Sequence, residues 1–157
     1  SLRAVFNPES LARWDSPEGR AEVVDAGNFE ERMAAFRQLQ DFLKTIHDAG
    51  IQVAIGTDAG TPNVPFGWGM HREMAIYVEA GLTPMQAIVA ATSTGAAQLP
   101  PLGEADFGTL VAGKVADLVV LDADPLLDIS NTQKIDRVMR LGEWVDRERL
   151  LPTEQIQ

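Results

Sequence analysis

The chain has no cysteine, only two histidines (His47 and His71), and 13 basic residues against 23 acidic ones. The missing cysteines exclude disulfides, thiolate zinc sites and cysteine nucleophiles. A formal charge of −10 argues against nucleic acid or an anionic membrane as partner, because either demands a basic footprint. The shortage of base is deepest between residues 51 and 110, where Arg72 is the single cation. No apolar run approaches the roughly 20 residues that span a bilayer. Residues 1–20 hold no apolar core of a signal peptide, and the chain opens on Ser1 rather than methionine. A processed product or a piece of a longer protein is therefore expected.

What is present fits an ordinary globular protein: 157 residues, 45% hydrophobic and 23% charged. The most informative stretch is Ile51 to Gly60, where an apolar run rich in β-branched residues ends in Thr57-Asp58-Ala59-Gly60. Helical patterns flank it, so residues 51–57 read as a buried parallel strand. Asp58 then stands at the strand's C-terminal end, where parallel α/β architectures place their chemistry.

Upstream, residues 1–27 read as loop, with a short helix over 8–14. A long amphipathic helix is expected from Asn28, with Glu31 completing a capping box. Phe29, Met33, Phe36, Leu39, Leu43 and Ile46 form its stripe, Phe42 widens it, and Gly50 ends it. Residues 59–69 form a long aromatic loop of the kind that often binds ligands. A helix is expected over 70–80, ended by Gly81. Thr83, Pro84 and Gln86 open another, with Met85, Ile88 and Val89 facing the core and Gly95 dividing it from a short last helix. Past Pro100-Pro101 the pattern turns to strands, over 107–111, 115–122 and 135–141, with Gly142 first in a type II′ hairpin turn.

Three motifs then agree in order and spacing. They are Gly56-Thr57-Asp58-Ala59-Gly60; His71-Arg72-Glu73-Met74 with Ala80-Gly81-Leu82-Thr83-Pro84-Met85-Gln86-Ala87; and Ala112-Gly113-Lys114-Val115-Ala116-Asp117-Leu118-Val119-Val120-Leu121-Asp122. Asp124-Pro125-Leu126 closes the third. Together they resemble the C-terminal part of the metal-dependent amidohydrolases, on the imidazolonepropionase-like and Xaa-Pro dipeptidase-like branch. The resemblance implies an α/β fold: the end of a (β/α)8 TIM barrel followed by part of a small β-sandwich. Residues 1–100 would carry the seventh helix, eighth strand and eighth helix, and residues 101–157 the C-terminal sandwich strands.

The resemblance also implies hydrolysis of C–N bonds in cyclic amides or peptides by a metal-activated water, with zinc the expected metal. Asp58 matches the acid that ends the eighth strand, so it is both the catalytic candidate and the metal-facing one. The family's other metal ligands lie on earlier strands, including a His-x-His pair that this sequence does not contain. A catalytic metal takes about three protein ligands. The chain alone is therefore expected to be incompetent, needing further barrel strands or a partner chain. A non-catalytic fragment or binding subunit that completes a barrel in trans is the other reading.

Smaller signals carry bland alternatives. His71 reads either as a substrate contact or as a polar residue in a helix's first turn. Phe66 and Trp68 read as a substrate wall or as rim packing. His47 suits a helix C-terminus, and Gly67-x-Gly69 lacks the rest of a dinucleotide fingerprint. Asp122, Asp124 and Asp128 lack the glycine and glutamate of a calcium loop, so turn chemistry is expected there. Asp117 is expected to be structural.

Overall fold

The structure, a computed structural model, describes residues 8–24, 28–60, 64, 66–99 and 105–147. The expected domain boundary near residue 101 lies outside them. Six α-helices lead: α1 Pro8–Asp15, α2 Pro17–Val24, α3 Phe29–Asp48, α4 Trp68–Glu79, α5 Pro84–Ala91 and α6 Ser93–Ala97. Strand β1 Leu118–Leu121 follows, then a 3-10 helix Ile129–Gln133, and strands β2 Ile135–Arg140 and β3 Glu143–Trp144.

Helix α2 replaces part of the expected loop, and its cause is local. The Ser16 hydroxyl accepts the Gly19 N–H at 3.0 Å, with Pro17 at the first helical position. Gly19 also lets α1 and α2 approach closely, since a Cβ there would lie 1.9 Å from the Arg13 carbonyl oxygen.

Helix α3 runs for 20 residues as expected, but the Asn28 side chain makes no capping bond, so the expected box is not formed. The helix ends in a Schellman motif. Gly50, at φ 82°, donates to the His47 carbonyl, and Ile51 donates to that of Ile46 at 3.1 Å. Gly81 ends α4 the same way, with Leu82 donating to Tyr77 at 3.1 Å. The capping box at α5 forms as expected: Gln86 N–H to Thr83 Oγ1 at 3.2 Å, and Thr83 N–H to Gln86 Oε1 at 2.7 Å.

The core lies between α4, α5 and the 3-10 helix, in Met74, Tyr77, Leu82, Ala87, Ala90 and Ile129. Met85 and Val89 were expected there and are exposed instead. Helix α5 gives the buried core its small residues Ala87 and Ala90, with Ile88 packed at the core's edge as expected. The break before α6 falls at Thr92 (φ −122°, ψ −91°) rather than at Gly95, which sits inside α6. No residue of α3 is buried, and Phe42 on its apolar face stays 61% exposed.

Among the described residues, 51–57 pair with no neighbouring strand. A ladder exists only through a neighbour's backbone. Helices hold this segment instead. Tyr77 OH donates to the Ala54 carbonyl at 3.0 Å, Ile55 N–H to the Ala90 carbonyl at 3.2 Å, and Gly56 N–H to Glu73 Oε1 at 3.1 Å.

The C-terminal part is one antiparallel sheet in the order β1-β2-β3. Leu118 pairs with Met139 and Val119 with Val138, and a bulge follows Val120. The expected strand over 107–111 is absent, and β1 covers only the middle of 115–122. Among the described residues no second sheet faces this one, so the expected sandwich is not seen. Arg137 lies over the Trp144 ring at 4.4 Å, fastening β2 to β3.

The β2–β3 turn is also corrected. Leu141 and Gly142 are both at positive φ, 52° and 82°, the type I′ pattern rather than II′. Asp117 explains why a leucine is tolerated there: its carboxylate accepts the Leu141 N–H at 2.6 Å, while the Ala116 carbonyl accepts that of Gly142 at 3.1 Å. Left-handed backbone costs a non-glycine residue roughly 1–2 kcal/mol, and Asn bears it better than Leu. Leu141→Asn is therefore expected to stabilise the chain by about 1 kcal/mol, read as a higher urea midpoint. An unchanged or lower midpoint would remove strain as the account of this turn.

Candidate functional site

Asp58 follows directly on the clamped segment. Its backbone is left-handed, at φ 52°, one of two such non-glycine residues among those described, and its side chain is exposed. Asp and Asn enter this region more readily than other side chains, so the position itself selects for them. Held strain of this kind gathers at functional sites.

The loop behind Asp58 closes tightly. Thr57 Oγ1 accepts the Ala59 N–H at 3.2 Å, and Gly60 N–H reaches the Val64 carbonyl at 3.0 Å. Gly60 is at φ 100°, and a Cβ there would stand 2.8 Å from the tip of the Phe66 ring. Phe66, mostly exposed, thus covers the backbone two residues past Asp58. Gly69, buried in the first turn of α4, lies against Val64 and Thr57. Trp68 therefore starts a helix that packs beside the residue preceding Asp58. Asp58, Phe66 and Trp68 share one end of the clamped segment.

His71, in the first turn of α4, has a partner of its own. Its Nδ1 lies 3.0 Å from Thr132 Oγ1, joining α4 to the 3-10 helix. Burial holds its pKa below the ordinary 6.5. Thr132, a buried partner 61 residues away, left no signal in the local pattern. Glu73 and Tyr77, one turn apart on α4, also escaped notice as supports for residues 54–56. Burial first, and then the Glu73 carboxylate, raises the Tyr77 pKa above its usual value, which keeps its hydroxyl a donor to Ala54.

The sign of the histidine effect is definite. With its folded pKa depressed, His71 binds fewer protons folded than unfolded at acid pH. Its share of stability is complete above 6.5 and is lost as pH falls from there through the folded value. Urea midpoints are expected to drop over that window in the native chain and to drop less in His71→Gln. Equal slopes would contradict the burial of this imidazole. Asp128 and Asp48 act lower: Ser130 donates to the first and Lys44 to the second, both holding the carboxyl below 3.8. Asp124 accepts the Leu126 N–H at 2.8 Å and Asp128 that of Ser130 at 2.8 Å, so these two aspartates do turn chemistry, as expected.

Among the described residues, no three His, Asp or Glu side chains are grouped to hold a metal ion. The described donor set does not by itself fit a catalytic metal. A concavity of about 260 Å³ lies on α3, lined by Phe29, Arg32, Met33 and Phe36, and none of the predicted site residues lines it. No helix among the described residues is long and apolar enough to cross a membrane.

The model of the amidohydrolase family matches residues 20–145. Imidazolonepropionase of Cutibacterium acnes is 37% identical over 106 residues, which cover 65% of this chain and 26% of that protein. The chain thus spans about a quarter of that relative's length. Among solved structures, molinate hydrolase superposes with a TM-score of 0.60 at 29% identity, over 72% of this chain and 27% of that one. A Xaa-Pro dipeptidase with bound methionine gives 0.59 at 31%, over 69% and 25%. These relatives imply a TIM-barrel-type fold, of which the described α/β elements would form one part. With the family match running through the Asp58 loop, α4, α5 and the β1–β2 hairpin alike, the chain belongs to the amidohydrolase family, on its imidazolonepropionase-like side.

Proposed function

We propose that this chain supplies the acid of the eighth barrel strand, and the C-terminal sandwich strands, of a metal-dependent amidohydrolase that hydrolyses C–N bonds in cyclic amides or peptides. The observation that carries this is Asp58: a left-handed, exposed acid at the end of an apolar segment held by three backbone bonds. The names of its relatives, an imidazolonepropionase and a Xaa-Pro dipeptidase, support a cyclic amide or a small peptide as substrate.

In this reading Asp58 takes a proton from the attacking water and returns it to the leaving nitrogen, while Phe66, Trp68 and His71 face the substrate. Residues 1–100 belong to the barrel and 101–157 to the sandwich. The family is typically metal-dependent, and zinc is proposed by family likeness. Asp58 would be one ligand, the others coming from barrel strands of a longer chain or a partner.

A second reading, a non-catalytic subunit completing a barrel in trans, is favoured by the apolar face of α3, where Phe29, Leu39 and Phe42 are exposed. One experiment separates the two. The chain is assayed alone and joined in frame to the N-terminal three-quarters of an imidazolonepropionase, with zinc and light scattering. Activity only in the joined protein is expected, with the separate chain self-associating. A monodisperse monomer holding one zinc would overturn both readings.

A further inference from the structure

We infer that Thr132 locks neutral His71 in its Nδ1–H form, so that one ring nitrogen ties α4 to the 3-10 helix and the other offers only a lone pair. The argument is a count of hydrogens. Thr132 has one hydroxyl hydrogen. Its Oγ1 lies 2.8 Å from the Ile129 carbonyl oxygen, which can only accept, and 3.0 Å from His71 Nδ1. If the hydroxyl hydrogen pointed at Nδ1, two oxygens would face each other at 2.8 Å with nothing between them. Thr132 and Ile129 are both buried, so water does not relieve that arrangement. Only one assignment satisfies both contacts: the hydroxyl donates to Ile129, and Nδ1–H donates to the hydroxyl.

The consequence is chemical. A neutral imidazole carries one N–H, and here it is spent inside the protein. Nε2 is left as an acceptor, so a ligand that meets it must bring a donor: an amide N–H, a hydroxyl or an ammonium. A carboxylate or bare carbonyl finds no partner there. This ligand preference rests on the proposed placement of His71 beside the substrate; the tautomer does not.

Long-range 1H–15N NMR of the chain tests it, since only two histidines are present and His47→Gln assigns them. At pH 8, His71 is expected to show a protonated Nδ1 and a bare Nε2. Thr132→Ser should keep that pattern, and Thr132→Val should move His71 toward Nε2–H, the form a free imidazole favours. A protonated Nε2 in the native chain, or an unchanged tautomer in Thr132→Val, overturns the lock. Acetamide and acetate then probe Nε2. A shift with acetamide but not with acetate supports the donor preference, and equal shifts overturn it. No shift with either, while the lock holds, overturns the substrate-facing placement of His71 and leaves the tautomer standing.

Discussion

In the in-frame joined enzyme, Asp58→Asn is expected to lower kcat by about 10²–10⁴-fold, the ordinary worth of a general acid–base group, with KM little changed. Asparagine is the right probe because of the backbone. At φ 52° most side chains add strain, which would confuse lost chemistry with lost structure. Asn enters the left-handed region nearly as readily as Asp and matches its shape, so it removes the carboxylate's chemistry, proton acceptance and any metal ligation alike, without adding backbone strain. Asp58→Ala would mix the two effects. Undiminished hydrolysis in the Asn variant would end the proposed role.

The largest effect on stability is expected at Met74. It lies in the core between α4, α5 and the 3-10 helix, against Leu82, Ala87 and Ile129. Replacing a buried Met by Ala costs about 2–5 kcal/mol, against a total of about 5–15 for a typical domain. Among the described residues the core cluster has six buried members, so each one carries a large share of it. Met74→Ala should therefore lower the urea midpoint steeply or leave the chain unfolded at 37 °C. Phe42→Ala is the control: a larger side chain, 61% exposed, whose loss should cost under about 1 kcal/mol. Similar losses from both would mean that α3 is packed in solution against something that hides its apolar face.

What the residues announced in advance, they announced locally. The Thr83–Gln86 box and the stops at Gly50 and Gly81 lie within a few residues of the bonds they make, and all three are found. Strand β2 was also legible. Misreadings came locally at the Asn28 box and the Gly142 turn, and elsewhere where the partner is distant or of unexpected size. Residues 51–57 were legible as an apolar segment ending at Asp58, but not the bonds from Tyr77, Ala90 and Glu73 that hold it. Met85 and Val89 are apolar enough for a core, yet α5 buries its alanines instead. His71 was visible as a candidate, and Thr132, which fixes it, was not. At Asp117 the motif pointed to structure, and its bond to the Leu141 N–H, 24 residues on, shows of what kind.

The three bonds to residues 54–56 have a consequence for the order in which the chain is made. Every clamp comes from sequence that follows the segment: Glu73, Tyr77 and Ala90. Ile55 leaves the ribosome 35 residues ahead of Ala90, an interval of roughly 2–7 s at ordinary rates of synthesis. Until Glu73 and Tyr77 follow, the apolar run before Asp58 has none of the three bonds that hold it. The helix that carries two of them is complete by Glu79, so α4 shelters this stretch of nascent chain before α5 arrives to finish the task.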